Sequence, residues 1–369
     1  MSTFAVTVER VTILPHPKAD RLEIAQIGDY QSVVGKGSFK TGDLVAYIPE
    51  QAIVPQNLLK EMGLEGRLAG KNKNRVKATK LRKILSQGLC YPAREEWQRG
   101  ADVAEVLGIT KWEPPIPAHL SGEVFAAGSD RTLRYDIENQ KKFPHVLEDG
   151  EPVVFTEKLH GTWMQAALMP KQMAHPDEGR LIVSSKGLAS RGLAMKYDAE
   201  ANKTNLYVRV ARHYTMENRI SFAFGRVLKD ELDPCPVFVL GEVYGNGVQD
   251  LTYGAKTDKD VDIGFRIFDI YVGKPDQGRY LNDDELDGAC ERLSIPRVPV
   301  LYRGPFSRAV MQEYTDGYET ITGHDVHIRE GIVMRPQTER RNEEVGRVQL
   351  KSVSGDYLTR KGSSLTEYQ

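Results

Sequence analysis

The sequence predicts an antiparallel β-barrel followed by an α+β domain built on antiparallel sheet, and three observations carry the prediction. Short apolar runs punctuated by Gly, Pro and Asp fill the first part of the chain. A Pro- and Gly-rich stretch, "KWEPPIPAHLSGEVFAAGSD", then interrupts the pattern. Beyond it, longer apolar strands alternate with segments of helical spacing. Length agrees, since 369 residues exceed what one small core organises. The expected divisions are 1–118 for the barrel, 119–130 for a linker and 131–369 for the second domain.

Composition narrows the class. The chain is 40% hydrophobic and 27% charged, as soluble globular proteins are. No window approaches the ~18 apolar residues that a membrane span needs. The start, "MSTFAVTVERVTI", reads as a strand and lacks a signal pattern. Cys90, Cys235 and Cys290 stand far apart, with no paired spacing, which fits a reducing compartment and no zinc knuckle. The expectation is a cytoplasmic, monomeric protein without membrane contact. Formal net charge is −1, so no global field draws it to nucleic acid.

In the barrel, "FAVTVERVTIL", "RLEIAQIG", "YQSVVGKG", "DLVAYIPE", "NRVKATKLRKI" and "GLCYPA" are the predicted strands. The fifth carries a local charge pattern. Lys71, Lys73, Arg75 and Lys77 alternate, so on a strand they share one face. That face is either a lysine-defended edge or a stripe that tracks phosphates. "GKGSFKTGD" lacks the spacing of a phosphate-binding P-loop.

The second domain holds the chemistry. "PVVF" runs into "TEKLHGTW", so an apolar strand ends in Lys158, followed by His160 and Gly161. Lysine is costly to desolvate, which makes a snorkelling edge residue or an activated amine the two readings. Other strands are interrupted in the same manner. "VSSKG" brings Lys186, "VLGEVYG" brings Glu242, and "FRIFDIYV" brings Phe268 and Asp269. "HIREGIVMRP" brings Glu330 and "VQLKSVS" brings Lys351. "AMKYDAEANKTNLYVRVARHY" and "NDDELDGACERLS" have helical spacing, the latter with acids in its first turn. "HDVH" (His324, His327) has a zinc-like spacing without partner ligands and reads as a surface turn.

Two resemblances follow from these residues. "PHPKADRLEIAQIGDYQSVVGKGSFKTGDLVAYIPEQAIVP", with "LRKILSQGLCYP", resembles OB-type barrels of the tRNA-binding kind. "EKLHGT", "SSKG", "GEVYG", "FRIFDIYV", "EGIVMR" and "LKSV", in that order, resemble the motifs of the covalent nucleotidyltransferases, the superfamily of polynucleotide ligases and RNA capping enzymes. The Lys-x-His-Gly-Thr form is similar to the RNA ligase 2 branch, and an OB module placed first is similar to the Deinococcus-type RNA ligase clade. Too few residues follow Lys351 for the C-terminal OB domain of DNA ligases and capping enzymes.

The resemblance implies an ATP-dependent RNA ligase acting on RNA, at nicks in duplexes, with RNA on the 3′-hydroxyl side. A capping guanylyltransferase and a DNA-joining ligase are the alternatives. Lys158 is implied as the nucleophile that takes AMP from ATP, an attack that needs its neutral amine. Glu157, Lys158, His160, Gly161, Lys186, Glu242, Phe268, Glu330 and Lys351 are implied at the nucleotide. Among them, Phe268 would stack on the adenine, Lys351 would face the α-phosphate, and Glu242 and Glu330 would hold Mg²⁺ or Mn²⁺. The chain departs from the pattern in three places. Arg191 competes with Lys186 for the basic position of the second motif. Gln349 and Val353 flank Lys351 where a second lysine is common. Trp163 stands where related ligases carry Asn, either packed in the core or bounding the substrate groove.

Overall fold

The computed structural model describes residues 4–112, 122–229, 234–253 and 263–360, which divide into two compact units. Residues 4–112, 139–144 and 355–360 form one; residues 122–138, 145–229, 234–253 and 263–354 form the other.

The first unit is the barrel. Strand Thr7–Arg10 continues after Val11 into Thr12–Pro15, and this bent strand serves two sheets. One has the order Thr7–Arg10, Leu44–Ile48, Leu89–Pro92; the other has Thr12–Pro15, Leu22–Ile27, Tyr30–Gly35. Leu44–Ile48 lies deep in the unit, so its side chains feed two clusters. Ala46 and Ile48 pack with Val6, Val8 and Tyr91, whereas Val45 and Tyr47 pack with Val11, Ala25 and Ile27. Ser86 and Gly88 fasten the barrel. Ser86 Oγ accepts from Val33 N at 2.9 Å. Gly88 has φ +72°, and an added Cβ would lie 2.7 Å from the Ile48 carbonyl oxygen.

The basic stripe expected at 71–77 is not the face of a strand. Residues 71–73 form a turn rather than a strand, with Lys73 at φ +51°. Arg75 is only 5% exposed, and its guanidinium lies 4.0 Å from the ring centroid of Trp112. The alternation of cations therefore does not produce a shared face. Arg75 is consumed by stacking inside the barrel unit. Strand structure in this region is confined to the hairpin Thr79–Leu81 and Ile84–Ser86.

The second unit contains a seven-stranded sheet. Its order is Val124–Ala126, Leu193–Met195, Leu181–Ser185, Thr162–Leu168, Val237–Gly245, Ile263–Val272, Arg279–Tyr280. The stretch 119–130, expected as a linker, thus supplies an edge strand; residues 119–121 lie outside the described residues. In another sheet, Leu350–Val353, Gly331–Pro336, Pro152–Glu157 and Val300–Pro305 are neighbours in that order. The strand period of two sorts the seven-stranded sheet into faces. Met164, Ala166, Val239 and Val243 pack with helix residues Val208, Ile220, Leu286 and Leu293. Trp163, Ala167, Phe238 and Leu240 occupy the opposite face.

The helical segments begin where caps allow. Helix Asp283–Leu293 starts with a capping box, in which the Asn282 N–H donates to Glu285 Oε2 at 2.9 Å. The other segment is helical only from Leu206 to His213, because Asn205 caps it by accepting from the N–H groups of Tyr207 and Val208. Its expected first part holds strand Leu193–Met195 and a short 3₁₀ turn, Glu200–Asn202.

Candidate active site

Lys158 occupies the crossing between the two sheets of the second unit. Strand Pro152–Glu157 belongs to one sheet and Thr162–Leu168 to the other, so residues 158–161 carry the chain across. Glycine is required at 161, since a Cβ there would overlap the Val243 carbonyl and press on the Glu242 side chain. The Lys158 N–H donates to the Gly331 carbonyl at 3.0 Å, which fixes the backbone beside the strand that begins after Glu330.

Around this crossing the structure collects charges from distant sequence. Lys158 Nζ lies 2.5 Å from Glu330 Oε1, with the glutamate side chain 2% exposed. Glu242 faces the same space from strand Val237–Gly245. Burial pushes its carboxyl up to about 8, Glu330 adds to the rise, and Lys158 and Lys186 oppose it. Lys351 is the cationic counterpart. Burial brings its ammonium down to about 8, helped by Lys158 and Lys186 and opposed by Glu330. Lys158, Lys186, Glu242, Glu330 and Lys351 therefore act within one another's fields.

Lys186 is the first residue of a short helix, Lys186–Ala189, capped by Ser185, and its ammonium is 3.0 Å from Asp136 Oδ1. Arg191 is exposed, so Lys186 is the one of the two that joins the cluster. His160 is buried, with Nε2 2.6 Å from Asp250 Oδ1 and Nδ1 3.9 Å from Glu330 Oε2. Its backbone N–H donates to the Tyr253 hydroxyl at 2.8 Å. Asp250 and Tyr253 were not legible in the sequence, because neither forms part of a motif. His327 is drawn in as well, its ring edge-on to Tyr253 with centroids 4.5 Å apart.

Not every expected residue points into the cluster. The Glu157 carboxylate is buried and turned to a neighbouring loop, where it accepts from Thr320 N at 2.9 Å and Thr320 Oγ1 at 2.5 Å. A nucleotide contact from that carboxylate is therefore not in place. Gln349 lies in a buried network with Tyr135 and Arg347, which removes it as a second phosphate ligand. Trp163 is 8% exposed and packs among Tyr135, Phe238 and Leu240, so it is a core residue.

Phe268 is half-buried on the same face, its ring centroid 5.2 Å from that of Tyr135. A β-bulge puts it there. Leu240 pairs with Asp269, but Gly241 pairs with Ile267, so Phe268 is the extra residue. Asp269 anchors the bulge from within. Its carboxylate accepts from Arg335 Nη1 and Arg347 Nη2, each at 2.9 Å, from Arg347 Nη1 at 2.7 Å, and from the Tyr135 hydroxyl. Burial alone would raise the Asp269 carboxyl; Arg347 and Arg335 outweigh it and hold the group below the usual carboxylate range.

The donor set fits a hard divalent cation. Glu242 and Glu330 lie close enough for the charge of one to act on the other, and they would be the carboxylates to hold it. Among the described residues, no three His, Cys, Asp or Glu side chains gather to hold a metal by protein atoms alone. Mg²⁺ and Mn²⁺ favour such carboxylate and water sites, Mg²⁺ keeping several of its waters.

Comparisons with known proteins bear on this site. A family model described as RNA ligase matches residues 151–353, which include all five charged residues of the cluster. A model of an OB-fold domain matches residues 5–93. No curated protein matches. Among solved structures, a lysine-to-alanine variant of Naegleria gruberi RNA ligase with ATP and Mn aligns with a TM-score of 0.74 at 24% identity. That alignment covers 95% of this chain and 97% of that one. The same ligase with pyrophosphate gives 0.74 at 24%, covering 96% and 98%. An apo aspartate-to-alanine variant gives 0.75 at 25%, covering 97% and 98%.

Proposed function

The chain belongs to the RNA ligase family, and on that premise we propose that it uses ATP to seal 5′-phosphate and 3′-hydroxyl RNA ends at nicks in duplexes. The observation that carries the reading is the Lys158 amine at the sheet crossing, 2.5 Å from Glu330, with Lys158 and Lys186 both acting on the buried Lys351. The Naegleria structures with ATP, Mn and pyrophosphate support the same substrate, cation and leaving group. The OB barrel ahead of the transferase unit supports the Deinococcus-type placement.

Three displacements make up the reaction. The Lys158 amine first gives up a proton, for which Glu330 is in reach. Its nitrogen then bonds to the α-phosphorus of ATP as the bond to the β-phosphate oxygen breaks, releasing pyrophosphate and leaving lysyl-AMP. An oxygen of the RNA 5′-phosphate next takes the AMP, restoring the amine. Finally the 3′-hydroxyl attacks the adenylated phosphate, the phosphodiester forms and AMP leaves. Lys351 and Lys186 offset negative charge on the phosphates at these steps. A divalent cation held through Glu242 and Glu330 would supply further charge stabilisation.

Labelled ATP or GTP followed by denaturing electrophoresis separates this reading from a capping guanylyltransferase. A DNA-joining activity is separated by four nicked duplexes in which each strand flanking the nick is RNA or DNA. The cluster consists of lysines and carboxylates, groups suited to phosphates and sugar hydroxyls rather than to reading base edges, and the 2′-hydroxyl is what distinguishes RNA at such positions. In-line attack tolerates little error, ~1 Å costing about a hundredfold, so ribose pucker on the 3′-hydroxyl strand governs the last step. Sealing is expected with RNA on that side and either nucleic acid on the 5′-phosphate side. Equal sealing of the all-DNA nick would reject RNA specificity.

A pH prediction follows from Lys351. Its ammonium is brought down to about 8, so the cation is present below that value and lost above it. The kcat/KM for ATP reports the free enzyme, and its alkaline limb should fall above about pH 8. Lys351→Arg keeps its charge throughout and should flatten that limb, even at reduced activity. An unchanged alkaline limb in the arginine variant would assign the loss to another group.

A further inference from the structure

The barrel places a pair of cations in a backbone conformation that their side chains disfavour. In the hairpin Thr79–Leu81 and Ile84–Ser86, Leu81 pairs with Ile84, leaving Arg82 and Lys83 as the two turn residues. Both lie in the left-handed region, at φ +49° and +73°. A two-residue turn with positive φ at each position is the arrangement for which Asn-Gly is the favoured sequence. Arginine and lysine fill it here at a cost in backbone strain, and such strain concentrates where function requires it.

The tip is also held in place. The His16 ring is buried, and its Nδ1 accepts from the Lys18 N–H at 3.1 Å. The proton therefore sits on Nε2, which donates to the Leu81 carbonyl at 3.3 Å. This imidazole joins the turn that bears Lys18 and Arg21 to the strand end just before Arg82. All four cations are exposed, with Asp20 the acid on the same turn. Lys80, on the hairpin itself, is committed to Asp356 at 2.5 Å. The His-Pro-x-Ala-Asp stretch thus has a structural purpose, to fix a pair of basic turns against each other.

We infer that Arg82 and Lys83 form a fingertip that contacts the phosphate backbone of the RNA duplex, with Lys18 and Arg21 beside it. The inference rests on the RNA-joining reading for its choice of polyanion. A fixed, exposed cation pair on a chain of net charge −1 is a local feature, suited to sequence-independent phosphate contacts. It also takes the place of the 71–77 stripe, whose arginine is buried.

The test replaces strain and charge together. Arg82→Asn with Lys83→Gly installs the preferred turn sequence, so the double variant should be at least as heat-stable as the parent. Its affinity for a nicked RNA duplex should fall, and the slope of log affinity against log salt should drop by about 1.8, roughly 0.9 per lost contact. Lysyl-AMP formation from ATP alone should be unchanged. Arg82→Ala with Lys83→Ala, which removes charge without the favourable turn, should match it in binding. Unaltered affinity and salt slope in the stable variant would overturn the fingertip. Absence of lysyl-AMP in the parent would instead sink the ligase reading, leaving the duplex-binding measurement intact.

Discussion

Lys158→Ala is expected to abolish covalent labelling by ATP while leaving residual sealing of a nick that already carries a 5′-adenylate. In the proposed mechanism only the first two steps pass AMP through the lysine; the last needs the 3′-hydroxyl, the adenylated phosphate and the surrounding cations. Removing a covalent nucleophile costs on the order of a millionfold in a well-studied protease, so labelling should fall below detection. One side chain could compete. Lys351 is brought down to about 8 by burial and neighbouring cations, which makes part of its population neutral at mildly alkaline pH. The experiment therefore pairs Lys158→Ala with Lys158→Ala/Lys351→Arg. Label that persists in the first and vanishes in the second would move the nucleophile to Lys351. The alanine variant also leaves the buried Glu330 carboxylate without its 2.5 Å partner, so its melting temperature must be measured alongside. A variant that is folded, unlabelled and still able to seal adenylated ends is the expected outcome.

What could be read in the sequence was whatever a strand writes locally. Lys158, Glu242, Glu330 and Lys351 each interrupt an apolar run, and each proves to lie at a strand end or on a site-facing strand. The acidic first turn of "NDDELDGACERLS" is likewise local, and that segment is helical from Asp283 to Leu293 as expected. Alternation misled at Lys71–Lys77, because period two describes a face only if the segment is extended, and residues 71–73 turn instead. Charge pairing was illegible for another reason. Asp269 meets Arg335 and Arg347 across separations of 66 and 78 residues, and nothing within a short window distinguishes those arginines from solvated ones. The bulge that turns Phe268 and Asp269 to one face is set by pairing with strand Val237–Gly245, so it too lies outside any local pattern. His16 was visible as part of a motif, but its hydrogen bond to Leu81 spans 65 residues.

Asp269→Asn should be the most destabilising conservative substitution in the transferase unit, and it should weaken ATP binding besides. The carboxylate is wholly buried and accepts from two guanidinium groups and a tyrosine hydroxyl. The amide has the same shape but no charge, and it retains one acceptor oxygen. Arg335 keeps Glu339, and Arg347 keeps Glu339 at 2.6 Å, yet both lose their central counter-ion. Breaking a buried pair from one side costs about 3–5 kcal/mol, because the remaining charge stays desolvated. Loss should therefore approach a sizeable part of the ~5–15 kcal/mol available to a folded domain. The pH dependence has a definite sign. The folded-state carboxyl is held below its unfolded value, so the parent gains this stability above about pH 4 and loses it as pH falls through the folded value. The variant should lack that arm, and denaturant titrations of the two proteins should converge in acid. Function follows through the bulge. Asp269 fixes Tyr135, whose ring lies against Phe268, so releasing the anchor should raise the KM for ATP more than it lowers kcat at temperatures where the variant is folded. A penalty under about 1 kcal/mol would mean that the two arginines relax to other partners and that the network does not hold the bulge.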